Sequence, residues 1–274
     1  MAIDHDAIAD RLITAHDNAT ELSPISAGDP SFTIPDGYRV LDIIDARRRA
    51  GGWKPVGRKI GFTNRTIWPR YGVGEPLFAS LWAHTVQFAP GGRASLDPSP
   101  FVNPRIEPEV VFKLKGAVPL SDDSLALLSA AEWIAPGFEI VQSHFPGWKF
   151  KAADCAAAFG LHAALVVGKP VPVTDANRAR IANLLPRFTL TLSRGDTVVE
   201  RGVGANVLDS PALALGYLAR VLAAQPQFPP LGAGEIVTTG TITDAWPVAA
   251  GESWSSDYGE LGLEGMTLRF AAAG

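Results

Sequence analysis

Two glutamates, Glu107 and Glu109, stand two residues apart in RIEPEVVFKL (105–114), a segment that otherwise reads as a strand. Strand side chains alternate between faces. Ile106, Val110, Phe112 and Leu114, with Pro108 among them, then form a core face, and Arg105, Glu107, Glu109, Val111 and Lys113 point the other way. At roughly 3.3 Å per residue the two acidic residues lie about 7 Å apart along the strand. Two readings fit this spacing. One is a solvated face, with the glutamates paired to Arg105, Lys113 or a neighbouring strand. The other is a hard-cation site, because carboxylate oxygens suit Mg²⁺, Mn²⁺ or Ca²⁺ and a cation relieves like-charge repulsion. A metal site needs a third ligand, and Glu139 in APGFEIVQSHF (135–145) is the candidate. It follows a predicted Pro136-Gly137 turn and sits in an apolar strand, where an ionisable group needs a partner or a role. An edge-strand glutamate facing water is the alternative for this residue.

The elements that would position these groups follow from periodicity and punctuation. Ile3, Ile8, Leu12 and Ile13 have helical spacing over 3–16, and 35–52 forms a second helix stopped at Gly51-Gly52. From about residue 57, short apolar runs alternate with Pro- and Gly-rich turns, the texture of a β core. Two helices interrupt it. One is expected over 121–134, with Ser121 as N-cap, and one over 210–225, with Ser210 as N-cap and Pro211 in the first turn. The layout is a helical N-terminal region, 1–55, and a larger β domain, 56–274, with outlying helices.

Composition narrows the function class. Of the 274 residues 47% are hydrophobic and 19% charged, as in a soluble globular chain with enough material for a core. The net charge is −4 and no block of five basic residues occurs, which argues against nucleic acid as a partner. Cys155 is the single cysteine, so a disulfide framework and a cysteine zinc site are excluded, and a buried small residue is expected there. The first ten residues, MAIDHDAIAD, carry no apolar signal core, and the apolar run 156–168 is too short to cross a bilayer. A cytoplasmic protein with no membrane partner is expected.

Several blocks occur in one order: GRKIGFTN (57–64), GEPLF (74–78), RIEPEVVF (105–112), FEIVQS (138–143), AADCAAAFGLHAALVVG (152–168) and LGAGEIVTTGTITDAWPVAAGE (231–252). In that order they resemble the 2-keto-4-pentenoate hydratase / 4-oxalocrotonate decarboxylase branch of the fumarylacetoacetate hydrolase superfamily, over roughly 35–270. The resemblance implies an α+β fold, a fumarylacetoacetase C-terminal-like mixed β-roll with peripheral helices. It implies a Mg²⁺ or Mn²⁺ cofactor, a small 2-oxo or 2-hydroxy-dienoic acid substrate and a homo-oligomer that can associate with a partner enzyme. By position, Glu107, Glu109 and Glu139 match the metal ligands and Lys59 matches the lysine of the G-x-K-[IV]-G motif. Thr239, Gly240 and Thr241 fall in the T-G-[ST] segment near the substrate carboxylate.

A 2-oxo acid offers a carboxylate and a ketone oxygen to one Lewis-acidic ion. Electron withdrawal through C2 makes the distal double bond of a dienoate open to water, and the same sink accepts electrons from a departing carboxylate or acyl group. The first reading is therefore a hydratase of aromatic-compound degradation, a lyase. A 4-oxalocrotonate-type decarboxylase or an acylpyruvate hydrolase is the second, and a non-catalytic oxo-acid-binding homologue the third. Lys59 is expected to bind substrate oxygens or shuttle a proton, with its pKa lowered if desolvated near the metal. Two departures stand out. Leu77 occupies the place of an acid in the family's QPDFG-like segment, and Asp154-Cys155-Ala156-Ala157 stands where the family often has D-N-A-S. The reaction is then expected to be decided around Leu77 and Ala157, with Glu75, His144 or His162 as compensating groups. Tryptophans near 68–82 are expected to widen the substrate pocket.

Overall fold

A computed structural model of the chain describes residues 3–272. Helices α1 (His5–Asp17), α2 (Ile25–Gly28) and α3 (Ile34–Ala50) precede the first strand. The strands are β1 (Pro55–Gly61), β2 (Leu77–Trp82), β3 (Val86–Phe88), β4 (Arg93–Leu96), β5 (Arg105–Leu114), β6 (Ala131–Val141), β7 (His162–Val167), β8 (Val171–Pro172), β9 (Thr189–Arg194), β10 (Thr197–Val203), β11 (Ile236–Thr238), β12 (Trp246–Pro247), β13 (Ser253–Asp257) and β14 (Met266–Phe270). Among them lie α4 (Trp68–Tyr71), α5 (Ser124–Ser129), α6 (Ala152–Ala157), α7 (Asp175–Leu184) and α8 (Pro211–Ala223). One mixed sheet runs β2-β1-β11-β5-β6-β7-β3, with β12 beside β5 and β8 beside β6. A second runs β10-β9-β13-β14-β4. This is the expected α+β architecture, mixed sheets with peripheral helices.

The helices begin where capping chemistry allows. Asp4 accepts from the Ala7 N–H at 3.0 Å ahead of α1, and Ser210 accepts from the Ala212 N–H with Pro211 at the first helical position of α8. Helix α3 starts on a Thr33–Asp36 capping box and buries Tyr38, Val40, Leu41 and Ile44. No helix among the described residues is long and apolar enough to cross a membrane.

The helix expected over 121–134 is corrected. Only Ser124–Ser129 is helical, its N-cap is Asp123 rather than Ser121, and from Ala131 the chain is strand β6. The Pro136-Gly137 turn is corrected too, since both residues lie inside β6, opposite Val110 and Glu109. Pairing along nearly all of β5 overrides the local signals. Glycine is required at 137 because a Cβ there would lie 2.5 Å from Val111 Cγ2.

Candidate metal centre

Strand β5 delivers its even face, Ile106, Val110, Phe112 and Leu114, to the main core. Its odd face is also largely buried, with Glu109 fully enclosed and Glu107 partly exposed. The antiparallel register sets Glu107 directly opposite Glu139 on β6. On the other flank Val111 pairs with Thr238 of β11, and Thr238 pairs with Lys59 of β1. Residues in register share a face, so four strands bring Lys59 and the three glutamates to one side of the sheet. One carboxylate oxygen from each of Glu107, Glu109 and Glu139 lies within 4.8 Å of the others.

The carboxylates are incompletely satisfied. Glu109 Oε2 accepts from the Gly240 N–H at 2.7 Å and from the Thr238 hydroxyl, while its Oε1 has no hydrogen-bond partner. Glu139 Oε1 lies 2.8 Å from His162 Nδ1, and its Oε2, also without a hydrogen bond, lies 3.4 Å from Lys59 Nζ. Buried polar atoms normally find partners. Like charges directly across a strand pair are destabilising. Oxygens bound to one hard cation at roughly 2.0–2.6 Å are at most about 4–5 Å apart. Three oxygen donors at this separation, two with bare buried atoms, fit a divalent cation of the Mg²⁺, Mn²⁺ or Ca²⁺ kind.

The ionisation pattern has the same origin. Burial pushes the Glu107 carboxyl up to about 7, with the Lys59 ammonium opposing and the Glu139 charge reinforcing the rise. Glu109 is pushed well above the usual carboxylate range by burial and then by the charges of Glu139 and Glu107. Glu139 moves the other way. Burial raises it, but the Lys59 ammonium and the His162 hydrogen bond outweigh that and hold it low. Lys59 moves upward. Burial pulls it down, yet the three carboxylates together carry it above its ordinary value. Its Nζ also donates to the Gly160 carbonyl at 3.0 Å.

The T-G-T segment is arranged differently from a carboxylate clamp. The Thr239 hydroxyl donates to Val110 O at 2.8 Å, and the Gly240 N–H is spent on Glu109. Gly240 has φ +95°, and a Cβ there would strike Thr63 Oγ1 at 2.0 Å, so this close approach requires glycine. Thr241 alone of the three keeps a partly exposed side chain, with its Oγ1 accepting weakly from the Thr243 N–H at 3.3 Å.

A cavity of about 330 Å³ opens beside Lys59. Phe62, Tyr71, Trp148, Phe150 and Leu161 form much of its wall, with Arg70, Arg105 and Asp244 among the polar residues. The residues expected to decide the reaction do not line this cavity. Leu77 and Ala157 are buried in the core, Glu75 is exposed, and Trp82 is buried elsewhere; Trp68 is tied through Nε1 to Phe62 O at 2.7 Å. Asp154 accepts from the Ser26 N–H and hydroxyl and from the Lys151 N–H, which makes it a structural cap of α6. Cys155, as expected, is buried, and burial pushes its thiol up to about 12. Of the histidines, His144 bonds Thr20 O, whereas His162 touches the carboxylate cluster. Neither the cavity beside Lys59 nor a larger one of about 740 Å³, bounded by His16, Arg48, Trp53, His84 and Thr85, is lined by the glutamates; the smaller one reaches the cluster through Lys59.

Known proteins similar to this chain include both hydratases and decarboxylases. No protein-family model matches the chain. The 2-hydroxyhexa-2,4-dienoate hydratase of Comamonas testosteroni is 31% identical over 260 residues, 93% of this chain and 92% of that protein. The 4-oxalocrotonate decarboxylase of Pseudomonas sp. (strain CF600) is 29% identical over 268 residues, 96% of each. The solved 4-oxalocrotonate decarboxylase from Pseudomonas putida G7, complexed with magnesium and adipate, superposes with a TM-score of 0.87 at 26% identity, over 97% of both chains. The chain belongs to the 2-keto-4-pentenoate hydratase / 4-oxalocrotonate decarboxylase family of the fumarylacetoacetate hydrolase superfamily.

Proposed function

We propose that the protein is a divalent-metal-dependent lyase that adds water to a 2-hydroxy-2,4-dienoate in the breakdown of aromatic compounds. The observation that carries this reading is the meeting of Glu107, Glu109 and Glu139 oxygens within 4.8 Å, beside Lys59 and a largely apolar cavity. The three glutamates would hold Mg²⁺ or Mn²⁺. When bound, such an ion supplies Lewis-acid polarisation of the carboxylate and keto oxygens of a 2-oxo acid. The protein supplies the rest. Lys59, held cationic by its carboxylate neighbours, places an N–H at the cavity wall to bind a substrate oxygen and to give a proton from Nζ. Phe62, Tyr71 and Phe150 limit water around the substrate tail. Thr241 offers a hydroxyl for the substrate carboxylate, while Thr239 and Gly240 act by holding strand β5 and Glu109.

Arg105, its guanidinium 4.1 Å from the Trp148 ring, lines the cavity together with Arg70. Two cations there favour a substrate with a second carboxylate, and so support decarboxylation of a 4-oxalocrotonate-type acid as the alternative. The test is incubation with Mn²⁺ and a panel of 2-hydroxy-dienoates and their dicarboxylic counterparts, with products identified by mass. Gain of one water supports the hydratase, and loss of CO₂ from the dicarboxylates alone replaces it with the decarboxylase. Self-assembly, association with a partner enzyme and a cytoplasmic location belong to the same proposal. Light scattering on the purified chain tests the first.

A further inference from the structure

Two of the glutamates share a pattern. Each has one oxygen hydrogen-bonded to protein donors and the other without a hydrogen bond, although in Glu139 that second oxygen lies 3.4 Å from the Lys59 ammonium. In Glu109 the Thr238 hydroxyl and the Gly240 N–H hold Oε2 and leave Oε1 free. In Glu139 a single side chain does this work, with His162 Nδ1 at 2.8 Å from Oε1 while Oε2 is left toward the cluster. A carboxylate accepts only, so Nδ1 carries the hydrogen. The ring is itself fixed. Its Nε2 lies 2.9 Å from Thr85 Oγ1, which also sits 3.0 Å from Trp82 O. His162 is 4% exposed at the start of β7, and a slip of the β6/β7 register between Ile140 and Val141 seats it opposite Val141, on the same face as Glu139. Thr85 also lines the 740 Å³ cavity, so the chain of contacts runs from that cavity wall to the carboxylate cluster.

We propose that His162, braced by Thr85, is a positioning residue that fixes the Glu139 carboxylate so that Oε2 is presented for metal binding. The proposal rests on the metal-site reading above. A ligand carboxylate with a free torsion spreads its oxygen over many orientations, and a buried donor on the other oxygen removes that freedom. Losing such an outer hydrogen bond costs roughly 10–100-fold in metal affinity.

The experiment measures Mn²⁺ affinity by calorimetry on the metal-free, full-length chain, with folding checked by circular dichroism. His162→Leu is expected to bind Mn²⁺ roughly 10–100-fold more weakly. His162→Asn, whose amide can donate from the place of Nδ1, is expected to recover most of that loss. Thr85→Val is expected to weaken binding by about tenfold. Wild-type affinity in folded His162→Leu overturns the proposal. So does His162→Asn binding as weakly as His162→Leu, which would show that ring bulk matters and the donor does not. If His162→Leu does not fold, unchanged affinity in Thr85→Val overturns it. A folded wild-type chain that binds no Mn²⁺ refutes the metal site itself, and so separates that failure from a failure of the positioning role.

Discussion

The chain buries acidic groups in two regions and satisfies them unequally. At the N-terminus of α6, Asp154 is fully enclosed and takes three donors, the Ser26 N–H at 2.9 Å, the Ser26 hydroxyl at 2.6 Å and the Lys151 N–H at 2.8 Å. On the sheet, Glu109 and Glu139 are equally enclosed, yet each keeps an oxygen without a hydrogen bond, that of Glu139 with only the Lys59 ammonium at 3.4 Å, and Glu107 faces Glu139 across the strand pair. Both arrangements bury carboxylates, and only the first is self-sufficient. The difference separates an acid whose oxygens the fold satisfies from acids that the proposed site would give to a cation, because buried polar atoms normally find partners.

The largest test of that contrast is Glu139→Gln. It is expected to abolish Mn²⁺ binding in calorimetry, together with turnover. Wild-type metal affinity in this variant and in Glu107→Gln would break the comparison. Next comes Lys59→Met, expected to lower turnover by roughly 10²–10⁴-fold, the range for a lost acid/base group. It should not weaken Mn²⁺ binding, because an ammonium 3.4 Å from Glu139 Oε2 competes with the ion. Asp154→Ala should behave in the opposite sense. Denaturant unfolding is expected to show a loss of roughly 3 kcal/mol, from donors left buried and unpaired, with Mn²⁺ affinity retained. A variant that loses metal binding and keeps its stability would place Asp154 with the site.

A pH series sharpens the same point. The Glu107 carboxyl lies at about 7 in the fold against an ordinary 4.5. The folded state therefore favours its protonated form. That contribution to stability is complete below pH 4.5 and is lost as pH rises through 7, a change on the order of 2–3 kcal/mol. The metal-free wild type should lose melting temperature between pH 5 and 8 relative to Glu107→Gln, and Mg²⁺ should restore it most at the upper end. Parallel curves would show that Glu107 is not strained by its neighbours. The smallest effect is expected from Thr241→Ala, a rise in KM of about fivefold for one lost hydroxyl contact. An unchanged KM would remove Thr241 from the substrate site.

The acidic pair was legible because strand periodicity is local. Residues 107 and 109 share a face whatever the strand pairs with. Glu139 was legible only as a charge in an apolar run. Its place opposite Glu107 is a matter of register, which spans more than thirty positions of chain. The same pairing explains the misread helix at 121–134, where local apolar spacing continues through a segment that β5 holds extended. His162 carried no local sign of its role. A lone histidine in an apolar stretch looks structural until the fold sets Glu139, 23 residues away, against its ring.

What the sequence determined by itself was chemical and short-range: the helix cap at Ser210, and an acidic strand face able to bind a hard cation. The ordered blocks added the family. What only the tertiary structure decided was which atoms meet. It turned Thr239 and Gly240 inward to hold β5 and Glu109, buried Leu77 and Ala157 in the core, walled the cavity beside Lys59 with Tyr71, Trp148 and Phe150, and gave Glu139 its histidine. The reason is physical. Face and propensity depend on a few neighbouring residues, whereas register, burial and the pairing of buried charges depend on strands far apart in the chain.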